Sequence, residues 1–255
     1  MLLQEGFNQD WRSEVGKLID TEQRFSEEDI CRVILNSGAV EIRDVGAGEE
    51  PFLYSSGYWG PGYVNIKGLV GQEEVFKFLV KQEALKLVDS GTPFDFIAGN
   101  ATGGMIPAYQ LREDLQDLTG RRIPYVYVRG ARKQMGHREH ITGIDGPYTP
   151  PGSRALVVEE LINFAQTTTN SALVLRREGR VADDAATILH YMNPKALSLL
   201  KETEVNVVQL TTLPKLLEVA ELEGKFSPRA INDYKSFLDD PPAWQEQRGL
   251  KSVQL

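Results

Sequence analysis

From residue 94 onward the chain keeps repeating one alternation. FDFIAG, IPYVYVR (123–129), RALVVEE, AATILHY and NVVQLTT are short apolar runs with strand character. MIPAYQLREDLQDLTG, TTTNSALVLRREG, PKALSLLKE and LPKLLEVAEL stand between and after them, with apolar residues at helical spacing. Strands that alternate with helices build βαβ units, so the pattern predicts an α/β fold with a parallel sheet and helices on both faces. No repeat of solenoid length interrupts it.

The flanks differ. Residues 1–25 are polar and read as a helical arm. SEEDICRVILNSGAV (26–40) reads as a helix opened by Ser26, Glu27 and Glu28 and closed at Ser37-Gly38. Residues 41–70 mix glycine and aromatics in short β-like pieces. GQEEVFKFLVKQEALKLVDSG reads as a long amphipathic helix with a terminal glycine. The polar segment 130–152 shows no periodicity. The tail, SPRAINDYKSFLDDPPAWQEQRGL, reads as one more helical element, broken at Pro241-Pro242 and anchored by Trp244. The expected organisation is a small N-terminal segment (1–70), a core (71–223) and a C-terminal helical extension (224–255).

With 255 residues the chain can bury a substantial core. It carries 28 basic and 36 acidic residues, a net charge of −8 that argues against general nucleic-acid binding. A local cationic patch for an anionic small substrate remains compatible with that charge. No apolar stretch approaches a membrane span, and MLLQEGFNQDWRSEVGKL lacks the basic-then-apolar order of a signal peptide. The expectation is a cytoplasmic, reduced protein. The single cysteine, Cys31, excludes an internal disulfide framework and a thiolate-only metal site, and its neighbours Ile30, Val33 and Ile34 place it in a buried helix.

In a parallel sheet ligands bind beyond the carboxyl ends of the strands, and three strand ends here carry unusual chemistry. In FDFIAGNATGGM, Gly99, Gly103 and Gly104 would let backbone N–H groups approach an anion at the following helix, with Thr102 beside them. A tight turn that merely needs glycine has the same signature. The second is Glu159-Glu160, whose hard oxygens suit Mg²⁺ or sugar hydroxyls. Thr167, Thr168 and Thr169 follow, at a helix start where hydroxyls and free N–H groups can hold a phosphate; a solvated acidic strand end with an ordinary threonine cap fits equally. The third is VRGARKQMGHREHITG (128–143), where Arg129, Arg132, Lys133, Arg138, His137 and His140 make a cationic stretch between Gly130, Gly136 and Gly143. It could close over a polyphosphate or simply be a solvated loop. Together the three describe a site for a sugar phosphate that carries a pyrophosphate.

Their order and spacing resemble the orotate phosphoribosyltransferases, a type I phosphoribosyltransferase family that uses 5-phosphoribosyl 1-pyrophosphate. ILNSGAV, FLYSSGYWGPGYVNIK, DFIAGNATGGMIPA, YVYVRGARK and RALVVEE carry the resemblance, from about Ile30 to Thr212. It implies the type I core with a small base-binding hood, in which Ser55, Ser56, Gly57, Tyr63 and Val64 meet the base. It implies donor contacts from Thr102, Gly103 and Arg129, ribose contacts from Glu159 and Glu160, and a 5-phosphate loop that takes in Thr167, Thr168 and Thr169. Lys133, Arg132 and His137 would form the catalytic lid, Mg²⁺ would be the cofactor, bound through the donor and possibly Glu159 and Glu160, and a homodimer would share the lid across subunits. The implied reaction converts orotate and the donor to orotidine 5′-phosphate and pyrophosphate in pyrimidine biosynthesis, with neither nucleic acid nor membrane as partner.

The chain departs from the family at four places. LINFAQTTTNS holds no glycine and reads as a longer phosphate turn. Gly130 replaces the lysine that commonly follows the pyrophosphate arginine. Met135 stands where the lid histidine is expected, two residues before His137. Tyr191 occupies the position of the arginine that would hold the substrate carboxylate. The alternatives are a transferase for another base and a catalytically silent relative that binds donor or nucleotide and regulates.

Overall fold

The structure is a computed structural model that describes residues 11–54, 57–129 and 140–251. The central sheet has six strands: β5 (Phe96–Asn100), β6 (Tyr125–Val128), β7 (Ile141–Thr142), β8 (Arg154–Ile162), β9 (Val181–His190) and β10 (Asn206–Thr212). Their spatial order is β10-β9-β8-β5-β6-β7, parallel throughout except for the antiparallel edge strand β7. The alternation seen in the sequence is therefore the sheet itself. The two-residue β7 was invisible as a periodic signal; it exists because Tyr127 and Val128 pair with Thr142 and Ile141.

The crossing helices are α4 (Met105–Thr119), α5 (Gln166–Arg177), α6 (Pro194–Glu202) and α7 (Leu213–Leu222), preceded by α3 (Glu73–Ser90). They split the core in two. Leu156, Val158, Ile188 and Leu210 pack on one face with the apolar residues of α3, α4 and α7. Ala98, Val157, Ala185 and Val205 pack on the other with α5 and α6. Two-sided cover explains why the central strands are nearly all apolar.

α3 differs from expectation. Its pattern reads as amphipathic, yet Lys81, Gln82 and Glu83 are buried with its apolar residues. The reason is cover on several sides, by α4, by β9 and β10, and by α1 (Trp11–Leu18). Burial pushes the Glu83 carboxyl up to about 8, and neither of its oxygens has a partner among the described residues. In α2 (Glu27–Asn36), Ser26 caps the helix by accepting from the Asp29 N–H, and buried Cys31 meets Thr211 Oγ1 at 3.2 Å. Burial raises that thiol to about 12, which makes it inert at neutral pH.

The segment expected to form the hood consists of β1 (Val40–Ile42) paired with β4 (Gly62–Val64), and β2 (Phe52–Leu53) paired with β3 (Trp59–Gly60), both antiparallel. The tail forms α8 (Pro228–Asp239) and α9 (Pro241–Gln247), separated at Asp240 just before the two prolines, with Trp244 buried as the anchor. No helix among the described residues is long and apolar enough to cross a membrane.

Candidate active site

Strand β8 does not stop at its two acids. Pairing with β9 continues through Ile162 opposite His190, because Leu161 and Ile162 supply two more residues to the ladder. On the other side β5 pairs only as far as Gly99 opposite Val158. The acids thus lie where β8 loses one neighbour and keeps the other. Their backbone is held by β9 while one flank of the strand is open.

The turn 101–104 fills that flank. Gly104 lies against the Val158 carbonyl and the Asn100 backbone, and a Cβ there would overlap the Val158 oxygen. Gly103 lies under Glu160, and a Cβ there would fall within its carboxylate. These are the glycines that a close backbone approach requires. The Ala101–Thr102 peptide is cis, and Thr102 is exposed. Tyr125 donates from its hydroxyl to the Met105 carbonyl at 2.9 Å, which ties the start of α4 to β6.

A buried relay fixes the first acid. Ser171 Oγ donates to Asn100 Oδ1, and Asn100 Nδ2 donates to Glu159 Oε1. Glu159 is 6% exposed. Desolvation and then the neighbouring Glu160 push its carboxyl up to about 8, against the hydroxyl of Thr167 and the amide of Asn100, which favour the ionised form. Glu160 Oε2 is buried with no partner among the described residues. Two crowded carboxyl groups, one raised by burial and one with an unpaired oxygen, form an acceptor set that hydroxyl donors or a hard cation would complete.

The connection from β8 to α5 is Asn163, Phe164 and Ala165. It is short, which corrects the expectation of a lengthened turn. Without a glycine to accept positive φ, Ala165 takes the left-handed conformation itself (φ 59) and precedes a helix with no side-chain cap. Its first-turn N–H groups are therefore available to an anion. The three threonines divide. Thr167 is exposed beside Glu159, Thr168 is buried with its hydroxyl unpaired among the described residues, and Thr169 Oγ1 donates back to the Ala165 carbonyl at 2.8 Å. Ala165→Gly is expected to be neutral or to stabilise by up to about 1 kcal/mol, and Ala165→Val to cost about 2 kcal/mol or more, because a β-branched residue resists positive φ. Urea midpoints check this; a larger loss for glycine than for valine would show that methyl packing outweighs the backbone.

Arg129 ends β6 beside this face. Its N–H donates to the His140 carbonyl at 2.8 Å, its Nε to Thr142 Oγ1 at 3.2 Å and its Nη2 to the Tyr127 hydroxyl at 3.3 Å. β7 thus does something that sequence periodicity could not show: with the adjoining His140 carbonyl it pins Arg129. Arg132, Lys133 and His137 lie outside the described residues, as do Ser55 and Ser56. Of the remaining residues expected to meet the base, Val64 is buried in the β1–β4 ladder, and Tyr63 is exposed with its ring 5.7 Å from Phe52. Tyr191 follows β9, where its N–H donates to the Ile162 carbonyl at 2.8 Å, and burial pushes its phenol up to about 12. A separate cavity of about 230 Å³, lined by Arg112, Arg122, Tyr125 and Tyr148, opens near the start of β6 and contains none of these groups.

No family model matches the chain. Curated orotate phosphoribosyltransferases do match. That of Sinorhizobium fredii (strain NBRC 101917 / NGR234) is 27% identical over 232 residues, 90% of this chain and 94% of the relative. That of Streptococcus sanguinis (strain SK36) is 29% identical over 219 residues, covering 86% and 98%. The solved orotate phosphoribosyltransferase of Aeropyrum pernix aligns with a TM-score of 0.59 and 25% identity over 78% of this chain and 99% of its own. The chain is a relative of the orotate phosphoribosyltransferases. A Leishmania donovani UMP synthase shares the fold at a TM-score of 0.64 and 19% identity; the match takes in 84% of this chain and 42% of that longer one. The α/β core with a mostly parallel sheet is thus the type I phosphoribosyltransferase fold. Asn100 and Ser171, which hold Glu159, escaped the sequence reading. Asn100 stood in the glycine turn already singled out, but only the fold brings Ser171 to it from α5.

Proposed function

We propose that the protein transfers a phosphoribosyl group from 5-phosphoribosyl 1-pyrophosphate to orotate, giving orotidine 5′-phosphate and pyrophosphate. The observation that carries the reading is the Glu159–Glu160 pair, set against the glycine turn 101–104 and the uncapped start of α5, in a chain similar to orotate phosphoribosyltransferases over most of its length. The ionised acids would accept from the two ribose hydroxyls. Their negative charge would then favour the positive character that develops at C1 as the bond to pyrophosphate breaks. The α5 N-terminus would receive the 5-phosphate. Thr102, Gly103 and Arg129 would face the pyrophosphate, and the base nitrogen would form the new bond to C1 from the opposite side.

Among the described residues no group of three or more ligands could hold a metal ion unaided. The unpaired Glu160 oxygen fits Mg²⁺ shared between this chain and the oxygens of the donor. Bound there, the ion would offset charge on the leaving pyrophosphate. Arg132, Lys133 and His137 are proposed to close over the site and exclude water, within a cytoplasmic homodimer that shares this lid.

Tyr191 favours a second reading, a transferase for another base, because a phenol replaces the guanidinium that pairs bidentately with a carboxylate. Pyrophosphate release with donor, Mg²⁺ and a panel of pyrimidine and purine bases separates the two. The first reading predicts release above background with orotate; release with a different base alone would establish the second.

A further inference from the structure

We propose that the cavity between α4, the start of β6 and the loop 143–149 is a binding site for a small phosphate anion, held by Arg112 and Arg122. It is separate from the acid pair and the glycine turn, and the inference does not rest on the phosphoribosyl-transfer reading.

Both walls are braced by the protein itself. On one side Gln116 Oε1 accepts from the Ile123 N–H at 2.9 Å, and the Tyr125 hydroxyl donates to the Met105 carbonyl at 2.9 Å, so α4 and the start of β6 are tied together twice. On the other side Arg180 clamps the loop: its Nη2 donates to the Ile144 carbonyl at 3.0 Å and to the Thr149 carbonyl at 2.6 Å, and its Nε donates to the latter at 3.1 Å. Thr149 Oγ1 donates to the Ile144 carbonyl at 2.8 Å and tightens the same turn. A site held open in this way needs little ordering when a ligand arrives.

The lining is cationic. Although the chain carries a net charge of −8, no carboxylate lines the cavity among the described residues, and two guanidinium groups do. Arg122 makes no ion pair among the described residues; it stacks 4.1 Å from the centroid of the Tyr148 ring. Stacking engages the face of a guanidinium and leaves its N–H edge to donate. Arg112 gives Nη2 to Glu113, but its Nε is buried with no partner among the described residues. A buried N–H without an acceptor is costly, and an anion in the cavity would supply one. Gln116, its oxygen already engaged by Ile123, still has its amide N–H groups to donate. Donors on separate elements suit the several acceptor oxygens of a tetrahedral dianion better than one planar carboxylate. The volume of about 230 Å³ lies below the roughly 300–1,000 Å³ of sites for drug-sized ligands, which favours a small phosphate over a nucleotide.

The test titrates the full chain with orthophosphate, and in parallel with ribose 5-phosphate and succinate, by calorimetry and phosphorus NMR at fixed ionic strength. The variants are R122A, R112Q, R129A and R177A, each checked for folding by its melting curve. R122A and R112Q are each expected to weaken phosphate binding about tenfold or more, the scale of one hydrogen bond to a charged group. R129A, which alters the strand end of β6, should leave this binding in place. R177A removes an equal charge from exposed α5 and should do the same. The tighter of orthophosphate and ribose 5-phosphate tells whether the site takes the free ion or a phosphorylated sugar. No saturable phosphate binding by the wild type would overturn the inference. So would binding that R129A abolishes and R122A leaves intact, equal weakening by R122A and R177A, or tighter binding of succinate than of either phosphate. Arg122 is exposed, so R122A decides the matter even if R112Q does not fold.

Discussion

Glu159→Gln should make the protein more stable above pH 8 while it lowers transfer roughly ten- to hundredfold. Both effects follow from one buried carboxyl. Desolvation and Glu160 raise it from 4.5 to about 8 in the folded protein. As pH rises from about 4.5 to about 8 the unfolded chain releases a proton that the folded chain keeps, so stability falls across that window and levels off above it. Glutamine mimics the protonated acid, has no proton to lose and can still accept from Asn100. The variant should match the wild type below pH 4.5 and exceed it by a few kcal/mol at most above pH 8, each pKa unit being worth about 1.4 kcal/mol. Transfer suffers because a neutral amide accepts a ribose hydroxyl less strongly than a carboxylate, a difference of about 1.5–3 kcal/mol for a hydrogen bond to a charged group. By the same logic, donor binding at pH 7 should release a proton, visible as a binding enthalpy that varies with the ionisation enthalpy of the buffer. Urea midpoints at pH 5, 7 and 9, beside kcat/KM, check both halves; a variant less stable at pH 9 than the wild type would refute the assignment.

Gly104→Ala and Gly103→Ala should separate folding from activity one residue apart. At 104 the new methyl would overlap the Val158 carbonyl, a backbone group that cannot move without breaking the β5–β8 edge. That change is expected to cost about 2 kcal/mol or more, in the range of overpacking a close backbone contact. At 103 the methyl would meet the end of the Glu160 side chain, which can swing away. Stability should then change by less than about 1 kcal/mol, while kcat/KM falls tenfold or more because the carboxylate is displaced from the ribose. Melting curves and steady-state kinetics on both variants give the answer. Equal effects on stability at the two positions would count against this picture of the turn.

The sheet was legible because burial on both faces leaves a continuous apolar run, and NVVQLTT and PKALSLLKE coincide with β10 and α6 as observed. Three features were not legible, for different reasons. β7 is two residues long and too short for any period. The charged residues of α3 sit on what a helical projection treats as the solvent side, and only tertiary cover buries them. The turn after β8 was misjudged because Ala165 adopts a backbone conformation that the sequence signals only through glycine. At the site the acid pair and the glycine turn could be read from residue types and spacing. The relay from Ser171 through Asn100 joins residues 71 positions apart and depends on the finished fold.

The central claim is tested most directly by following the loss of orotate absorbance with purified protein, donor and Mg²⁺, and repeating the assay with each component left out. The account predicts loss of orotate only when all are present, with pyrophosphate released in equal amount. No loss of orotate from folded protein that binds the donor by calorimetry would contradict it.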